Sequence, residues 1–377
     1  MDQEIPLYDV NKIIGREVLE SIGEVLDSGW LTLGPKTEEF EATFSDHQDS
    51  EFGVAVNSCT SALYAALDAV GIGAGDTVVV PGITFVATAN VVELLDAQVT
   101  LCDVQEDGNM DPSDLEKILE TRDDVAAVIP VHLYGQPCDM EEIMDITQEH
   151  DIAVIEDCAH APMAEFKGQR VGSFGDAGCF SFYATKNMTT GEGGMVTTND
   201  PEVDEHVRKI RNHHQTMTPK EKKDTWGYDA DGTGFNFRMS EIQAAMGIAQ
   251  LDRLPEMTES RREVAARYQE EIEKIPGLRW ESEDSRKSHA FHLFVVQVED
   301  EYPVSRNDLF DTFDENEVIT GVHYPPISRL SQYEDLTRPV PKADTFADRI
   351  LSLPMYPDMS GDEQKTVLSV LRNPTGR

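Results

Sequence analysis

The sequence has 377 residues, enough to bury a sizeable core in two domains or in one large α/β domain with an appendage. Its 31 Lys and Arg residues stand against 71 Asp and Glu residues, a formal net charge of −40, which disfavours nucleic acid as a partner because basic side chains hold phosphate backbones. The longest apolar runs are too short to span a bilayer and the first residues show no secretory signal, so we expect a cytoplasmic protein.

Between residues 15 and 250 the sequence alternates helical periodicity with short apolar segments. Helices are predicted over residues 17–26, 61–69, 140–150 and 240–251. The predicted strands are residues 53–56, 77–80, 100–103, 125–130, 153–155, 179–182 and 194–197. Their near-continuous apolar content is typical of strands that are covered on both faces, so the pattern predicts an α/β fold with a mostly parallel sheet between helices.

The pattern changes after residue 251, where a smaller α+β unit is predicted. Its elements are helices over residues 257–275, 306–316, 342–350 and 362–371 and strands over residues 278–280, 291–298 and 318–320. We therefore expect a large domain over residues 1–255 and a small C-terminal domain over residues 256–377. Because ligands of open α/β sheets lie beyond the carboxyl ends of the strands, the residues after each strand are the candidate site.

Small polar residues follow the first predicted strand, in the segment NSCTS (residues 57–61) that leads directly into a helix. Hydroxyl groups and free backbone N–H groups at the N-terminus of a helix favour the binding of a phosphate. The same residues are also typical of a plain helix cap, and this segment alone favours the cap.

A carboxylate follows the fifth predicted strand, in the segment EDCAH (residues 156–160). Asp157 suits a helix cap, a metal ligand or a partner for a cationic ring nitrogen. A metal site is disfavoured because Asp157 and His160 have no obvious third ligand nearby.

Lys186 follows the sixth predicted strand, in the segment CFSFYATKN (residues 179–187) ahead of the glycine-rich TTGEGG (residues 189–194). A desolvated lysine has a lowered pKa and serves as a nucleophile or a base. The alternative is a loop lysine that lies over aromatic surface with its ammonium group in water. A P-loop is disfavoured because the pattern GxxxxGK[ST] does not occur in this segment.

Together, these three segments match the requirements of pyridoxal 5′-phosphate (PLP). Lys186 would hold the aldehyde, Asp157 would keep the pyridine nitrogen protonated, and the polar segment after the first strand would hold the phosphate. Phe85, in PGITFVATAN (residues 81–90), is a candidate to stack on the ring, with core packing as the alternative.

The acidic residues are spread along the chain, in clusters such as residues 38–49, 202–205 and 311–317 that are typical of solvated faces and turns. Because so large a charge repels itself, we predict adaptation to a salt-rich cytoplasm, with an acidic interaction surface as the alternative. The five cysteines form no CxxC pair, so we expect buried reduced thiols rather than disulfides or a zinc site.

Six segments together resemble the DegT/DnrJ/EryC1/StrS family of sugar aminotransferases. They are NSCTSALYAAL, PGITFVATANVV, VIPVHLYGQPCDM, VIEDCAHA, GSFGDAGCFSFYATKNMTTGEGGMV and FNFRMSEIQAAMGIAQL. The resemblance extends over nearly the whole chain, from GWLTLGPKTEEFE, which begins at Gly29, to LPMYPDMSGDEQ, which begins at Leu353. It implies a fold type I PLP-transferase that moves an amino group from glutamate to a nucleotide-linked keto-sugar in polysaccharide or glycan biosynthesis.

The resemblance also implies roles for single residues around the cofactor. Lys186 matches the lysine that holds PLP as a Schiff base and shuttles protons, and Asp157 matches the partner of the pyridine nitrogen. His160 matches a residue that lies against the ring near its phenolic oxygen. The residues that match phosphate contacts are Thr60, Ser61 and Ser181.

Other matched residues concern the second subunit and the substrate. Asn236 matches a phosphate ligand from the neighbouring subunit, which implies a homodimer with shared active sites. Arg238 is a candidate anchor for the donor carboxylate, with packing at a helix start as the alternative. His323 and Tyr324 match a substrate-side segment, in which Ser328 replaces the second histidine of many relatives.

Two other functions stand beside transamination. Family members that dehydrate the sugar carry histidine in place of the lysine, and one branch adds an iron–sulfur cluster, so Lys186 and the lack of a cysteine after Cys179 disfavour dehydration. A regulatory protein that binds PLP without turnover is the second alternative, and no basic patch or DNA-binding module supports it.

Overall fold

The structure is a computed structural model that describes residues 4–216, 227–280, 284–336 and 338–375. Its strands are β1 (Phe52–Val56), β2 (Thr77–Pro81), β3 (Gln98–Cys102), β4 (Val125–Val128), β5 (Ala153–Asp157), β6 (Glu165–Phe166), β7 (Gln169–Arg170), β8 (Ala177–Ser181), β9 (Gly194–Thr198), β10 (Leu278–Arg279), β11 (Lys287–Ser288), β12 (Phe294–Val298) and β13 (Ile350–Leu353). Seven of them form a central sheet in the order β1-β9-β8-β5-β4-β2-β3, in which only β9 runs antiparallel to its neighbours. The structure therefore confirms the mostly parallel sheet and all seven of its predicted strands.

Helices cover both faces of this sheet, and others belong to the smaller unit. In chain order they are α1 (Glu17–Ser28), α2 (Pro35–His47), α3 (Cys59–Ala69), α4 (Ala87–Glu93), α5 (Pro112–Thr121), α6 (Met140–His150), α7 (Pro201–Arg211), α8 (Glu241–Leu251), α9 (Leu254–Ile272), α10 (Arg306–Glu315), α11 (Pro341–Arg349) and α12 (Gly361–Arg372). Side chains of one strand alternate between the two cores: Cys179 packs with residues of α3, whereas Phe180 packs against Phe44 of α2. This two-sided burial is the reason why the strands are almost entirely apolar.

Helix α2 contains most of residues 38–49, which were predicted as a solvated face and turns. Four of its acidic or adjoining acidic side chains are exposed as expected, namely Glu38, Glu39, Asp46 and Asp49. Its Glu41 is buried, where it pairs with Arg211 and accepts a hydrogen bond from the backbone of Ala55. The N-terminus of α2 has no side-chain cap of its own, and the carboxylate of Glu241 accepts hydrogen bonds from its backbone N–H groups instead. The cap comes from a residue about 200 positions away, so no local sequence pattern could show it.

The smaller unit is built on the antiparallel sheet β10-β12-β13, packed against α9, α10 and α12. The predicted strand at residues 318–320 is wrong: Val318 forms a single parallel bridge with Ile5. The predicted helix over 342–350 ends at Arg349, and residues 350–353 form β13. Ile5 contributes to this core although it lies in the range predicted for the large domain.

Four of the five cysteines are buried and Cys59 is half-buried. Within the described part of the chain, no helix is both long enough and apolar enough to cross a membrane.

Candidate active site

A pocket of about 430 Å³ opens at the carboxyl ends of β1, β2, β5 and β8. Its volume lies in the usual range for sites that bind small molecules. Most of the residues that the sequence singled out line it, namely Thr60, Phe85, Asp157, His160, Ser181, Lys186, His323 and Tyr324. Segments far apart in sequence meet here because parallel strands end at the same edge of the sheet.

Lys186 lies in the turn after β8, and its backbone N–H group donates to the carbonyl of Tyr183 at 3.0 Å. Burial of the amine lowers the pKa of Lys186 to about 8, with Cys59 and Asp157 acting in the opposite direction. Among the described residues, no carboxylate forms an ion pair with Nζ of Lys186. The amine is therefore partly in its neutral, nucleophilic form near neutral pH, which favours the site lysine over a solvated loop lysine.

Asp157 is the last residue of β5, and its carboxylate is buried. Oδ2 accepts a hydrogen bond from the hydroxyl of Thr88 at 2.9 Å, and Oδ1 accepts one from the backbone of Ala159 at 3.1 Å. Burial raises the pKa of Asp157 against these two hydrogen bonds and the charge of Lys186. No described cationic side chain forms an ion pair with this carboxylate. A buried carboxylate without a cationic partner suits a ligand that carries a positive charge itself, such as a protonated pyridine ring.

The N-terminus of α3 forms another wall of the pocket. Ser58 caps the helix by accepting a hydrogen bond from the backbone N–H group of Ser61 at 3.1 Å, so the cap interpretation holds for Ser58. The hydroxyl of Ser61 donates to Asn57 at 2.7 Å, and Ser61 does not line the pocket. No described group accepts from the backbone N–H groups of Cys59 and Thr60, which leaves two donors for an anion.

Ser181 ends β8 as a buried residue on the pocket wall, beside this helix start. Phe85 is 55% exposed and its ring lies 5.7 Å from that of Tyr324. The alternative that Phe85 packs in the core is therefore wrong. Its exposed face is available to a flat ligand ring in the pocket.

His160 is buried beside the pocket between two hydrogen-bonding groups. Its Nδ1 accepts from the backbone N–H group of Tyr134 at 3.2 Å, and its Nε2 pairs with the hydroxyl of Tyr324 at 3.1 Å. Burial lowers the pKa of His160 well below its usual range, and the charges of Lys186 and His323 act in the same direction. The imidazole is therefore neutral.

Three further residues line this pocket without having been expected from the sequence. Thr88, whose hydroxyl donates to Asp157, stands four positions after Thr84 in the PGITFVATAN segment. Two hydroxyl residues at this helical spacing, just after a predicted strand, could have indicated that Thr88 belongs to the site. Tyr8 stacks on His292 at 5.8 Å, and His292 lies 4.4 Å from the ring of His160. Tyr8 and His292 come from segments that only the tertiary fold brings to the pocket.

Asn236 and Arg238 do not line the pocket of their own chain. Asn236 is exposed, and its backbone pairs with that of Asn212. The guanidinium of Arg238 donates to the side-chain oxygen of Asn212 at 2.8 Å. The backbone of this segment lies beside the end of β1, where Arg238 bridges Val56 and the carbonyl of Asn236 accepts from the side chain of Asn57, but neither side chain lines the pocket of its own chain.

A buried cluster of His132, Glu156 and Cys158 lies behind the pocket. Both carboxylate oxygens of Glu156 accept hydrogen bonds, from His132 and from the backbone of residues 172, 174 and 175. The backbone of Cys138 donates to Nδ1 of His132 at 3.0 Å. Protein N–H groups thus occupy the ligand atoms of the histidine and the carboxylate, and the cluster fixes the 172–175 loop beside β5.

Comparisons with known proteins agree with this geometry. The model of the DegT/DnrJ/EryC1/StrS aminotransferase family matches residues 12–372. The chain is 39% identical over 371 residues to the spore coat polysaccharide biosynthesis protein SpsC of Bacillus subtilis, a match that covers 96% of this chain and 95% of SpsC.

Two solved structures show the same fold. DesV from S. venezuelae, in complex with a ketimine intermediate, is 32% identical with a TM-score of 0.90 and covers 100% of this chain and 99% of its own. Spr1654 from Streptococcus pneumoniae in its PLP form is 27% identical with a TM-score of 0.89, and the match covers 99% of this chain and 98% of Spr1654. The chain belongs to the DegT/DnrJ/EryC1/StrS aminotransferase family and is a PLP-dependent sugar aminotransferase.

Proposed function

We propose that this enzyme transfers an amino group from glutamate to a nucleotide-linked keto-sugar in polysaccharide or glycan biosynthesis, with Lys186 as the proton-transferring residue. One observation carries the proposal: a lysine with a lowered pKa and a buried carboxylate without a cation, Asp157, share one pocket. The spore coat polysaccharide role in the name of SpsC supports the choice of pathway.

The residues of the pocket fit the parts of PLP. Asp157, held by Thr88, is assigned to the ring nitrogen, and Phe85 and His160 are assigned to the ring. The phosphate is assigned to the start of α3 through Thr60 and to Ser181, with Ser61 acting behind them through its hydrogen bonds to Ser58 and Asn57. When bound, PLP supplies an electron sink that stabilises the carbon from which a proton is removed.

Lys186 is the group that moves the proton in both halves of the reaction. With a pKa of about 8, its amine can both accept and donate a proton near neutral pH. Nζ removes the proton from the α-carbon of glutamate in the first half and delivers a proton to the sugar carbon in the second. General acid–base catalysis of this kind contributes about 10² to 10⁴ in rate.

We also propose a homodimer in which each chain completes the site of the other. A run of exposed apolar side chains is available for the interface: Ile14, Leu19, Leu26, Trp30 and Leu31. Lys186 is the one lysine or arginine among the described residues that line the pocket, yet glutamate and a sugar nucleotide are both anions. Asn236 and Arg238 from the second chain would supply the missing donors for the phosphate and the donor carboxylate.

The two halves of the reaction can be tested separately. Purified holoenzyme is mixed with glutamate, and we expect the visible absorbance of the bound cofactor to convert to that of the pyridoxamine form. The enzyme in its pyridoxamine form is then mixed with a panel of 4-keto and 3-keto sugars linked to UDP, GDP or dTDP. We expect mass spectrometry of the products to detect an amino-sugar. No conversion with glutamate would favour the regulatory protein, and loss of water without gain of nitrogen would favour dehydration.

A further inference from the structure

Asn187, the residue after Lys186, connects the turn that follows β8 to the segment between β11 and β12. It is buried, and its side-chain nitrogen donates to the carbonyl of Ala290 at 2.9 Å. A carbonyl can only accept, so the amide atom that faces Ala290 is the nitrogen, and the amide oxygen is the atom that lies 3.1 Å from Nδ1 of His292. Two hydrogen bonds therefore join Asn187 to this segment.

The hydrogen bond between Asn187 and His292 has only one possible direction. An amide oxygen cannot donate, so Nδ1 of His292 carries a proton and donates it to Asn187. Burial lowers the pKa of His292 well below its usual range, and the charges of His160 and Lys186 act in the same direction, so the ring is neutral. Its single proton therefore resides on Nδ1. Both hydrogen bonds of Asn187 are maintained at any assay pH near neutrality.

The same turn is also bound to α8 through a second buried amide, that of Gln250. Its Oε1 atom accepts from the backbone N–H group of Thr189 at 3.0 Å, and its Nε2 atom donates to the backbone carbonyl of Thr189 at 2.6 Å. The hydroxyl of Thr189 donates to the carbonyl of Phe182, just after β8, at 3.1 Å. Two amides from separate parts of the fold therefore hold the residues that follow Lys186.

The position of the Lys186 amine depends on this turn at one stage of the reaction. Lysine has a flexible four-carbon side chain, which does not fix the amine by itself. While Lys186 is bonded to the cofactor, its side chain is held at both ends. Once the amino donor has displaced it, the side chain is held through the turn alone. Displacement of a reacting group by about 1 Å can cost about 10²-fold in rate, so the turn must be fixed.

We propose that Asn187 and Gln250 are positioning residues, which hold the turn so that the amine of Lys186 stays beside the reacting carbon after the donor has displaced it. The inference rests on the proposed role of Lys186 in proton transfer. Neither Asn187 nor Gln250 lines the pocket, so neither contacts the substrate or the cofactor. Both act through the main chain of the turn, and the loss of either one releases the turn from one of its two attachments.

Asn187→Ala and Gln250→Met test the positioning role, because each removes an amide and adds no polar group. The glutamate half-reaction is followed by stopped-flow absorbance of the bound cofactor. We expect its rate constant at saturating glutamate to fall about 10- to 100-fold, while the glutamate concentration at half saturation stays within about twofold of wild type. A fold that is only less stable would lower the amplitude of the absorbance change and leave its rate constant unchanged.

The capture of PLP by the apoenzyme gives a second measurement, which requires no amino donor. The buried amine of Lys186 has a pKa of about 8. An amine released toward water approaches the ordinary lysine pKa of about 10.4. The pH at which the capture rate levels off should therefore rise by about one unit in Asn187→Ala and in Gln250→Met, because a loosened turn exposes the amine.

Gln364→Met is the matched control for Gln250→Met. Gln364 is also a buried amide, and it donates to the carbonyl of Val264 at 2.9 Å and accepts from Arg267, but it joins α12 to α9 away from the pocket. This variant should be less stable and should keep both the rate constant and the capture profile of wild type.

Two outcomes would overturn the inference while the proposed function stands. One is a rate constant and a capture profile that remain those of wild type in Asn187→Ala and Gln250→Met. The other is an equal change in Gln364→Met, which would mean that any loss of stability has the same effect. If glutamate does not convert the wild-type enzyme, the proposed donor is wrong, and the capture profile still decides the inference.

Discussion

The hydroxyl of Thr88 and the carboxylate of Asp157 are joined by a 2.9 Å hydrogen bond across the floor of the active site. An ionised carboxylate can only accept, so Thr88 is the donor and in turn accepts from the hydroxyl of Thr84 at 2.8 Å. This chain of hydroxyl groups connects the turn after β2 to the end of β5. It fixes the carboxylate that we assign to the ring nitrogen of PLP.

Thr88→Val should therefore weaken the binding of PLP while the fold is kept, because valine has nearly the shape of threonine without the donor. We expect the Kd of PLP to rise about 10- to 100-fold, in line with the about 1.5–3 kcal/mol that one hydrogen bond to a charged group contributes. Titration of the apoenzyme with PLP, followed by absorbance, gives the value. Thr258→Val is the control, since its hydroxyl bonds only within α9, and an equal loss in the control would speak against a role for Thr88.

The lowered pKa of Lys186 predicts how fast the apoenzyme captures PLP at each pH. Only the neutral amine attacks the aldehyde, and it dominates above the folded-state pKa of about 8. The capture rate should rise about tenfold per pH unit up to pH 8 and level off above it. Stopped-flow absorbance between pH 6 and 10 measures the profile. A rate that keeps rising to pH 10 would mean that the lysine is not desolvated.

Lys186→Ala should abolish turnover and remove the visible absorbance that depends on this lysine. Both losses have one cause, the missing amine at the end of β8. Retention of either by the purified variant would contradict the assignment. Lys167→Ala is the control, because this lysine pairs with Glu141 on the surface.

The sequence predicted the large sheet well because each strand is covered on both faces, so burial alone sets its composition. Helices α5 and α7 were missed although Asp111-Pro112 and Asp200-Pro201 are ordinary helix starts, with an aspartate cap and proline at the first position. Helix α2 is different, because its cap is Glu241. Its start depends on tertiary structure.

The residues of the candidate site fall into the same two groups, those that a local sequence pattern predicts and those that only the tertiary fold brings together. Lys186 and Asp157 were expected from chain order and the topology rule, because one follows β8 and the other ends β5, whereas Ser181 was expected only from the family resemblance. Tyr8 and His292 reach the pocket only because the N-terminal segment pairs with the smaller unit, as in the bridge between Ile5 and Val318. A contact across more than 280 positions leaves no local pattern in the sequence.

Glu156→Gln should destabilise the fold, because one of the two acceptor oxygens becomes an amide that cannot accept. The Oε1 atom accepts from Phe174 and Gly175, and Oε2 from Gly172 and His132, so either placement of the amide leaves buried N–H donors unpaired. We expect a loss of about 2–4 kcal/mol in the free energy of unfolding. Urea denaturation measures it.

The control for this variant is Glu205→Gln. Glu205 pairs with Lys209 on the exposed face of α7, and such a pair contributes about 0–1 kcal/mol. If Glu156→Gln were no more destabilising than this surface change, the cluster behind β5 would not be a structural network.

Shared active sites predict that two inactive variants restore activity to each other. In a heterodimer of a Lys186→Ala chain and an Asn236→Ala chain, one site carries both defects and the other carries neither. Random mixing gives about half heterodimers, so about a quarter of wild-type activity should appear. The chains are unfolded together, refolded and assayed. Activity no higher than that of the Asn236→Ala parent would place Asn236 in the site of its own chain.

The formal charge of −40 predicts that salt stabilises the folded state. Salt weakens the surface ion pairs, such as Lys365–Asp362, but each of these contributes at most about 1 kcal/mol. The repulsion among the excess acidic side chains is the larger effect, and it is screened as the Debye length falls from about 10 Å at 0.1 M to about 3 Å at 1 M salt.

We therefore expect Tm to rise by about 5 °C or more between 0.1 M and 2 M KCl. A gain of a few kcal/mol in the free energy of unfolding shifts Tm by about this much in a chain of this size. Sucrose is the control, because it favours the compact state without screening charge. If sucrose raised Tm as much as KCl at equal osmolality, exclusion from the surface would explain the effect. Full stability in dilute buffer would count against adaptation to salt, since the repulsion would then be too weak to matter.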